Sequence, residues 1–156
     1  MAERKANRGK SGPGKAIDGR EAWHRLLRLS RRVLHEMDAR LDSEHRLGVN
    51  EFDVLITLDN APDRRLRMTD LADAVMFSSG GLTRLVGRLE DRGLVERIPD
   101  SEDARSFHAA LTARGSQQLS EARVTHDAVI EELLNAKLAT SELRSLTSAL
   151  GKTLEP

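Results

Sequence analysis

The 156-residue chain contains no cysteine. Disulfides, thiol catalysis, cysteine-ligated zinc and thiol-based redox sensing are therefore excluded. No apolar run approaches the ~18 residues that a membrane-spanning helix needs, so no membrane partner is expected. The N-terminus has no apolar segment of the secretory kind, and a cytoplasmic protein is expected. Excess charge is also missing, with 25 Lys and Arg against 25 Asp and Glu. A neutral total ordinarily argues against nucleic acid. The charge is uneven, however. Residues 1–40 hold 11 Lys/Arg against 5 Asp/Glu, and residues 41–156 hold 14 against 20. A local basic surface is compatible with that average.

Catalytic and metal chemistry are equally bare. The five histidines are His24, His35, His45, His108 and His126, none paired at i, i+3 or i+4. A helical metal site therefore lacks ligands, and no metal or cofactor is expected. There is no nucleophile motif or phosphate loop, so no catalytic residue is assigned and the chain is not expected to be an enzyme.

What is present is a globular balance of 38% apolar and 32% charged residues, the size of one domain. Residues 1–16, rich in Gly, Lys and Arg, read as a flexible basic tail. From Ile17 to about Leu47, Trp23, Leu26, Leu27, Val33, Leu34, Met37 and Leu41 recur at helical spacing, and Gly48 is expected to cap the end. Asn50 is expected to start a second helix, with Asp53 in its first turn, and Pro62 to stop it. RRLRM follows as an extended link, and Thr69 is expected to cap a short helix, DLADAV. After Gly93 the period changes. LVERI and FHAAL read as two strands of a hairpin around the polar tip PDSEDARS. Thr112 then starts a helix running to about Leu138, and Thr140 or Ser141 starts the last one.

The stretch GGLTRLVGRLEDRG, residues 80–93, lies between these parts. Leu82, Leu85, Val86 and Leu89 make one apolar stripe, and Thr83, Arg84 and Arg88 fall on the other face. Ser78 or Ser79 supplies the N-cap, and Gly93 the left-handed residue that ends the helix. Gly80 and Gly81 leave first-turn amides accessible, and helix N-termini attract phosphates. Mid-helix Gly87 costs about 1 kcal/mol against alanine, which suits close approach by another surface. A short helix, a turn and a second helix with a polar outer face make a helix-turn-helix, whose second helix enters a major groove. The hairpin behind it brings Arg105 near its tip, a wing that can reach a minor groove or phosphates.

MTDLADAV, LTRLVGRLEDRGLVERIPDSEDAR and ALTARG resemble the MarR family of winged helix-turn-helix transcription regulators, over about Trp23 to Leu150. The resemblance implies a mostly α fold with a small β-hairpin wing (α+β), a winged helix-turn-helix in an intertwined homodimer. It implies residues 49–111 as the DNA-binding lobe and residues 17–48 and 112–156 as the helical dimerisation region. Ser78, Ser79, Gly80, Gly81, Thr83, Arg84 and Arg88 are the expected contacts of α-helical origin, and Asp103 is expected to orient Arg105 in the wing. Gly80 and Gly81 stand where relatives often carry Ser or Thr, which favours phosphate contact through amides over base contact.

The expected function is a sequence-specific regulator of transcription on double-stranded DNA, a repressor by family default, binding a palindromic operator as a homodimer. Its symmetry would set two such helices about 34 Å apart. Many relatives release DNA on binding a small, often phenolic, molecule. Trp23, His35, Met37 and Arg65 are the candidates for such an effector pocket. The alternative is a winged-helix protein-interaction module without operator binding. Arg105→Ala is expected to weaken duplex binding by about 1–3 kcal/mol while leaving the dimer intact. Fluorescence anisotropy with a labelled duplex checks this, and an unchanged affinity would remove the wing from the contact map.

Overall fold

The structure, a computed structural model, describes residues 18–100 and 106–154. The expected basic tail, Asp103 and Arg105 lie outside these residues. The elements in order are α1 (Gly19–His45), α2 (Val49–Asn60), a short 3-10 turn (Pro62–Arg64), β1 (Arg65–Arg67) and α3 (Met68–Ala74). Then come α4 (Ser79–Asp91), β2 (Val95–Pro99), β3 (Phe107–Leu111), α5 (Ala113–Ile130), a π-helical turn (Glu131–Asn135) and α6 (Thr140–Leu154). The fold is mostly helical with one small sheet. Among the described residues no helix is long and apolar enough to cross a membrane.

The chain divides into two compact units, residues 1–32 and 33–156. The first, within the described residues, is the opening part of α1. Asp18 caps it by accepting from the amides of Arg20 and Glu21, both at 3.0 Å. Trp23 and Leu26 are exposed there, and Arg25 pairs with Glu21 at 2.7 Å.

The second unit carries the core. Met37 and Leu41 of α1, Leu47, Phe52, Val54, Leu55 and Leu58 of α2 and Leu71 of α3 pack with the stripe of α4. Leu94, Val95, Ala109, Leu111, Leu119, Ala122, Val129 and Leu133 complete it. The sheet has the order β1-β3-β2, antiparallel throughout. Val95 faces Leu111 and Pro99 faces Phe107, as a hairpin requires. RRLRM, read as a link, therefore contains a third strand, with Arg65 opposite Ala110 and Arg67 opposite His108. Three residues are too few for an alternating pattern to show in sequence.

Several helix ends differ from expectation. Arg46, at φ +53°, makes the left-handed turn after α1, and its amide donates to Asp42 O at 2.9 Å. Gly48 is extended and stands at the N-cap of α2, so Asn50 lies inside the helix. Glu51 takes the acidic role given to Asp53: its Oε2 accepts from the Gly48 amide at 3.3 Å. Asp53 sits further along α2, where burial holds its carboxyl pKa above the usual value and the nearby His126 offsets only part of that rise. Arg67, not Thr69, precedes α3, and the Thr69 hydroxyl donates to Asp70. The last long helix gives way to a π-helical turn and ends before Leu138. Glu142 Oε2 accepts from the Ala139 amide at 2.8 Å, the capping role expected of Thr140 or Ser141.

Side-chain pairs bind α5 to its neighbours. The Thr125 hydroxyl donates to Glu44 at 2.6 Å and lies 2.8 Å from His45 Nε2, so His45 is the donor in that contact. Arg123 reaches Asp59 at 2.8 Å, and the His126 ring stacks on Phe52 at 4.9 Å. Arg40 bridges Glu36 and Glu132, each at 2.6 Å; Glu132 foremost, then Glu36, hold its guanidinium more firmly protonated than usual.

The tightest point is where the sheet meets α5. The Thr112 hydroxyl accepts from the Gly115 amide at 2.9 Å and lies within donating distance of Gly93 O and Leu94 O. A Cβ on Gly115 would sit 2.0 Å from Leu94 O and 2.8 Å from a Leu111 methyl. No side chain fits without moving backbone. Gly115→Ala is expected to cost at least about 3 kcal/mol, the upper end for overpacking. Urea denaturation measures it; a wild-type midpoint would mean that α5 shifts freely against Leu94.

Candidate nucleic-acid interface

Ser78, at φ −66° and ψ 147°, caps α4, and its Oγ accepts from the Gly81 amide at 3.3 Å. A Cβ on Gly81 would crowd that oxygen at 3.1 Å, so the glycine leaves the cap room. A Cβ on Gly80 would meet nothing within 4 Å. Leu82, Leu85, Val86 and Leu89 are all buried, which fixes the rotation of the helix about its axis. Ser79, Thr83, Arg84 and Arg88 are consequently exposed. The helix ends at Gly93, whose φ of +69° is the left-handed geometry expected there.

The two arginines are not equivalent. Arg84 has no hydrogen bond or ion pair among the described residues. Arg88 keeps 60% of its side-chain surface exposed while its Nε lies 3.4 Å from Glu51 Oε1. Glu51 is itself buried, and its other oxygen accepts from Arg92 Nη1 at 2.9 Å. One carboxylate thus holds the N-terminus of α2, Arg88 of α4 and Arg92 at the C-cap of that helix. The Thr83 hydroxyl donates to Ser79 O at 2.9 Å, leaving its oxygen to accept.

Two further arginines escaped the sequence reading. Arg97 of β2 donates from Nη2 to Thr83 O at 3.0 Å and pairs with Glu90 at 3.5 Å. Its signal was present in the strand period. Val95 points inward, so Arg97, two residues on, lies on the same side, toward α4. Arg67 of β1 has its Nε 2.9 Å from Asp100 Oδ2, and His108 Nδ1 lies 3.7 Å from the same oxygen. Asp100 is buried at the base of the hairpin, and its amide donates to Ser106 O at 2.9 Å. Sequence placed it in a solvated turn; only the pairing of β1 with β3 brings Arg67 to it. Arg67, Met68, Thr69, Thr83, Arg97 and Phe107 line an open cleft between the sheet and α4.

The effector candidates are dispersed. Met37 is a core residue, 4% exposed. His35 is exposed on α1, Arg65 is exposed and pairs with Asp63 at 3.4 Å, and Trp23 is 58% exposed in the other unit. None of them lines the cleft beside α4. Among the described residues no group of three or more His, Asp or Glu side chains is placed to hold a metal ion.

A short α3, a turn, the amphipathic α4 and a three-stranded sheet behind it define a winged helix-turn-helix. The profile of the MarR family matches residues 47–106. The chain is 30% identical over 132 residues to the transcriptional repressor MprA of Escherichia coli K12, covering 81% of this chain and 74% of that one. The crystal structure of AbsC, a MarR family transcriptional regulator from Streptomyces coelicolor, superposes with a TM-score of 0.77 at 29% identity, over 88% of this chain and 93% of that one. Sco3205 from the same organism, a MarR family regulator solved in complex with DNA, superposes at 0.79 with 24% identity, over 92% and 93%, a likeness of fold. The chain belongs to the MarR family.

Within this chain the nearest neighbour of Gly87 is the Arg97 side chain, not another backbone. A Cβ at Gly87 would lie 3.6 Å from Arg97 Nη2, ordinary van der Waals distance. The fold therefore does not require glycine there. Gly87→Ala is expected to raise stability by about 1 kcal/mol through helix propensity. A thermal melt checks it; a loss of stability would mean that Arg97 cannot yield.

Proposed function

We propose that the protein is a DNA-binding transcriptional regulator whose α4 lies in a major groove. The observation that carries this reading is the division of α4. Its apolar stripe is buried, while Thr83, Arg84 and Arg88 are exposed to solvent. Phosphates are met by the first-turn amides beside Gly80 and Gly81 and by Ser78 and Ser79. Asp103 and Arg105 carry the wing contact. Residues 49–111 form the DNA-binding lobe.

The protein acts as a cytoplasmic homodimer, with residues 17–48 and 112–156 as the dimerisation region. Two surfaces support this. α6 has no buried residue, although Leu143, Leu146 and Leu150 fall on one side. On α1, Trp23, Leu26 and Leu34 are exposed. A second copy covers such apolar surface by the commonest symmetry. Two-fold symmetry then demands a palindromic operator.

Repression, released by a small aromatic acid, completes the proposal. The name of the similar MprA repressor supports the first part. The cleft beside α4 supports the second, because Met68 and Phe107 suit a ring and lie beside Arg67 and Arg97, whose guanidinium groups already hold carboxylates, those of Asp100 and Glu90.

Footprinting on the DNA upstream of the protein's own gene, with and without aromatic acids, tests the proposal. A protected palindrome lost on adding the acid is the expected result. Affinity should fall steeply with salt as counterions are released, and Arg84→Ala should lower that slope by about 1. Light scattering should give twice the chain mass. An Arg84→Ala variant with the wild-type affinity and slope would refute the placement of α4 in the groove.

A further inference from the structure

The turn between α3 and α4 holds a residue that the core does not use. Met76 is 93% exposed. Its φ of +52° lies in the left-handed region, where glycine is at ease and a side chain with a Cβ is strained. The flanking Val75 and Phe77 pack against the core. The turn is closed by backbone alone, with Met76 N donating to Asp73 O at 3.3 Å and Phe77 N to Ala72 O at 2.9 Å. The Met76 side chain therefore gains no apolar burial and holds nothing together. A strained backbone carrying an idle apolar side chain is the kind of outlier from which a functional role is inferred.

Its place gives the role. Met76 lies two residues before the Ser78 cap, at the end of α4 where Gly80 leaves open space. The exposed side chains that follow, Ser79, Thr83, Arg84 and Arg88, are polar or charged. They suit phosphates and base edges, and the Thr83 methyl is the one small apolar group among them for deoxyribose or a thymine methyl, which also lie along a groove. An unbranched, polarisable thioether adapts to such surfaces.

We propose that Met76 is a DNA-contacting residue that adds an apolar probe to the surface of α4, resting on deoxyribose or a thymine methyl. This inference rests on the DNA-binding reading above. The experiment compares wild type, Met76→Gly and Met76→Leu on the duplex found by footprinting, across a salt series, alongside thermal melts. Met76→Gly should weaken binding by about five-fold at every salt concentration with an unchanged salt slope, because the lost contact is uncharged. Its melting temperature should equal or exceed wild type, since glycine relieves the left-handed strain. Met76→Leu should keep most of the affinity. On a duplex with deoxyuridine in place of thymine, a matching loss by wild type assigns the contact to the methyl group, and no loss assigns it to the sugar. Met76→Gly binding as tightly as wild type overturns the inference and leaves the regulator reading standing. So does weaker binding accompanied by a lowered melting temperature. A wild-type protein that binds no duplex overturns both.

Discussion

Burial of Leu82, Leu85, Val86 and Leu89 is the constraint on which the rest of this structure depends. Four apolar side chains on one stripe leave the helix a single rotation about its axis that keeps them from water, at roughly 1.5–3 kcal/mol for each side chain. That rotation decides which residues face outward. It turns Arg84 free into solvent and brings Arg88 and Arg92 to the buried Glu51. It also presents the Thr83 carbonyl to Arg97, so that the sheet is fastened to the helix it backs. The chemistry of the outer face is thus a consequence of packing on the inner one.

A second constraint joins the end of α4 and the sheet to α5. Gly93, Leu94, Thr112 and Gly115 converge where the end of α4, the start of β2 and the first turn of α5 touch. With Leu94 O directly over Gly115, backbone meets backbone and nothing between them can yield. The residue that leads into β2 and the first turn of α5 are therefore in direct backbone contact. The same α5 is held to α1 by Thr125 and to α2 by Arg123 and His126.

Charge is distributed with the same economy. The chain is neutral overall, so any cationic face has to come from placement rather than surplus. Among the described residues Arg84 has no acidic partner, whereas Arg88, Arg92, Arg97 and Arg67 each have one. An engaged guanidinium is oriented in advance but must weaken an existing pair to reach a phosphate. A free one is ordered only on contact. Under the proposed function the two kinds divide labour between orientation and attraction.

The sequence alone determined whatever depends on local period and local caps. The stripe of α4, its end at Gly93, the strands LVERI and FHAAL and the Thr112 cap all follow from spacing within a few residues. The family was legible there too, because its motif is one continuous stretch. The tertiary structure decided whatever depends on residues far apart. β1 exists because β3 lies beside it, and Asp100 is buried because Arg67 arrives from another strand. Glu51 displaced Asn50 and Asp53 from their expected roles because Arg88 and Arg92 stand opposite it, 37 and 41 positions away. Gly115 is obligatory only because the Leu94 carbonyl passes 2.0 Å from where a Cβ would be. Short-range preferences set the elements; long-range packing set which polar groups are occupied and which remain available, and no window of sequence contains both partners.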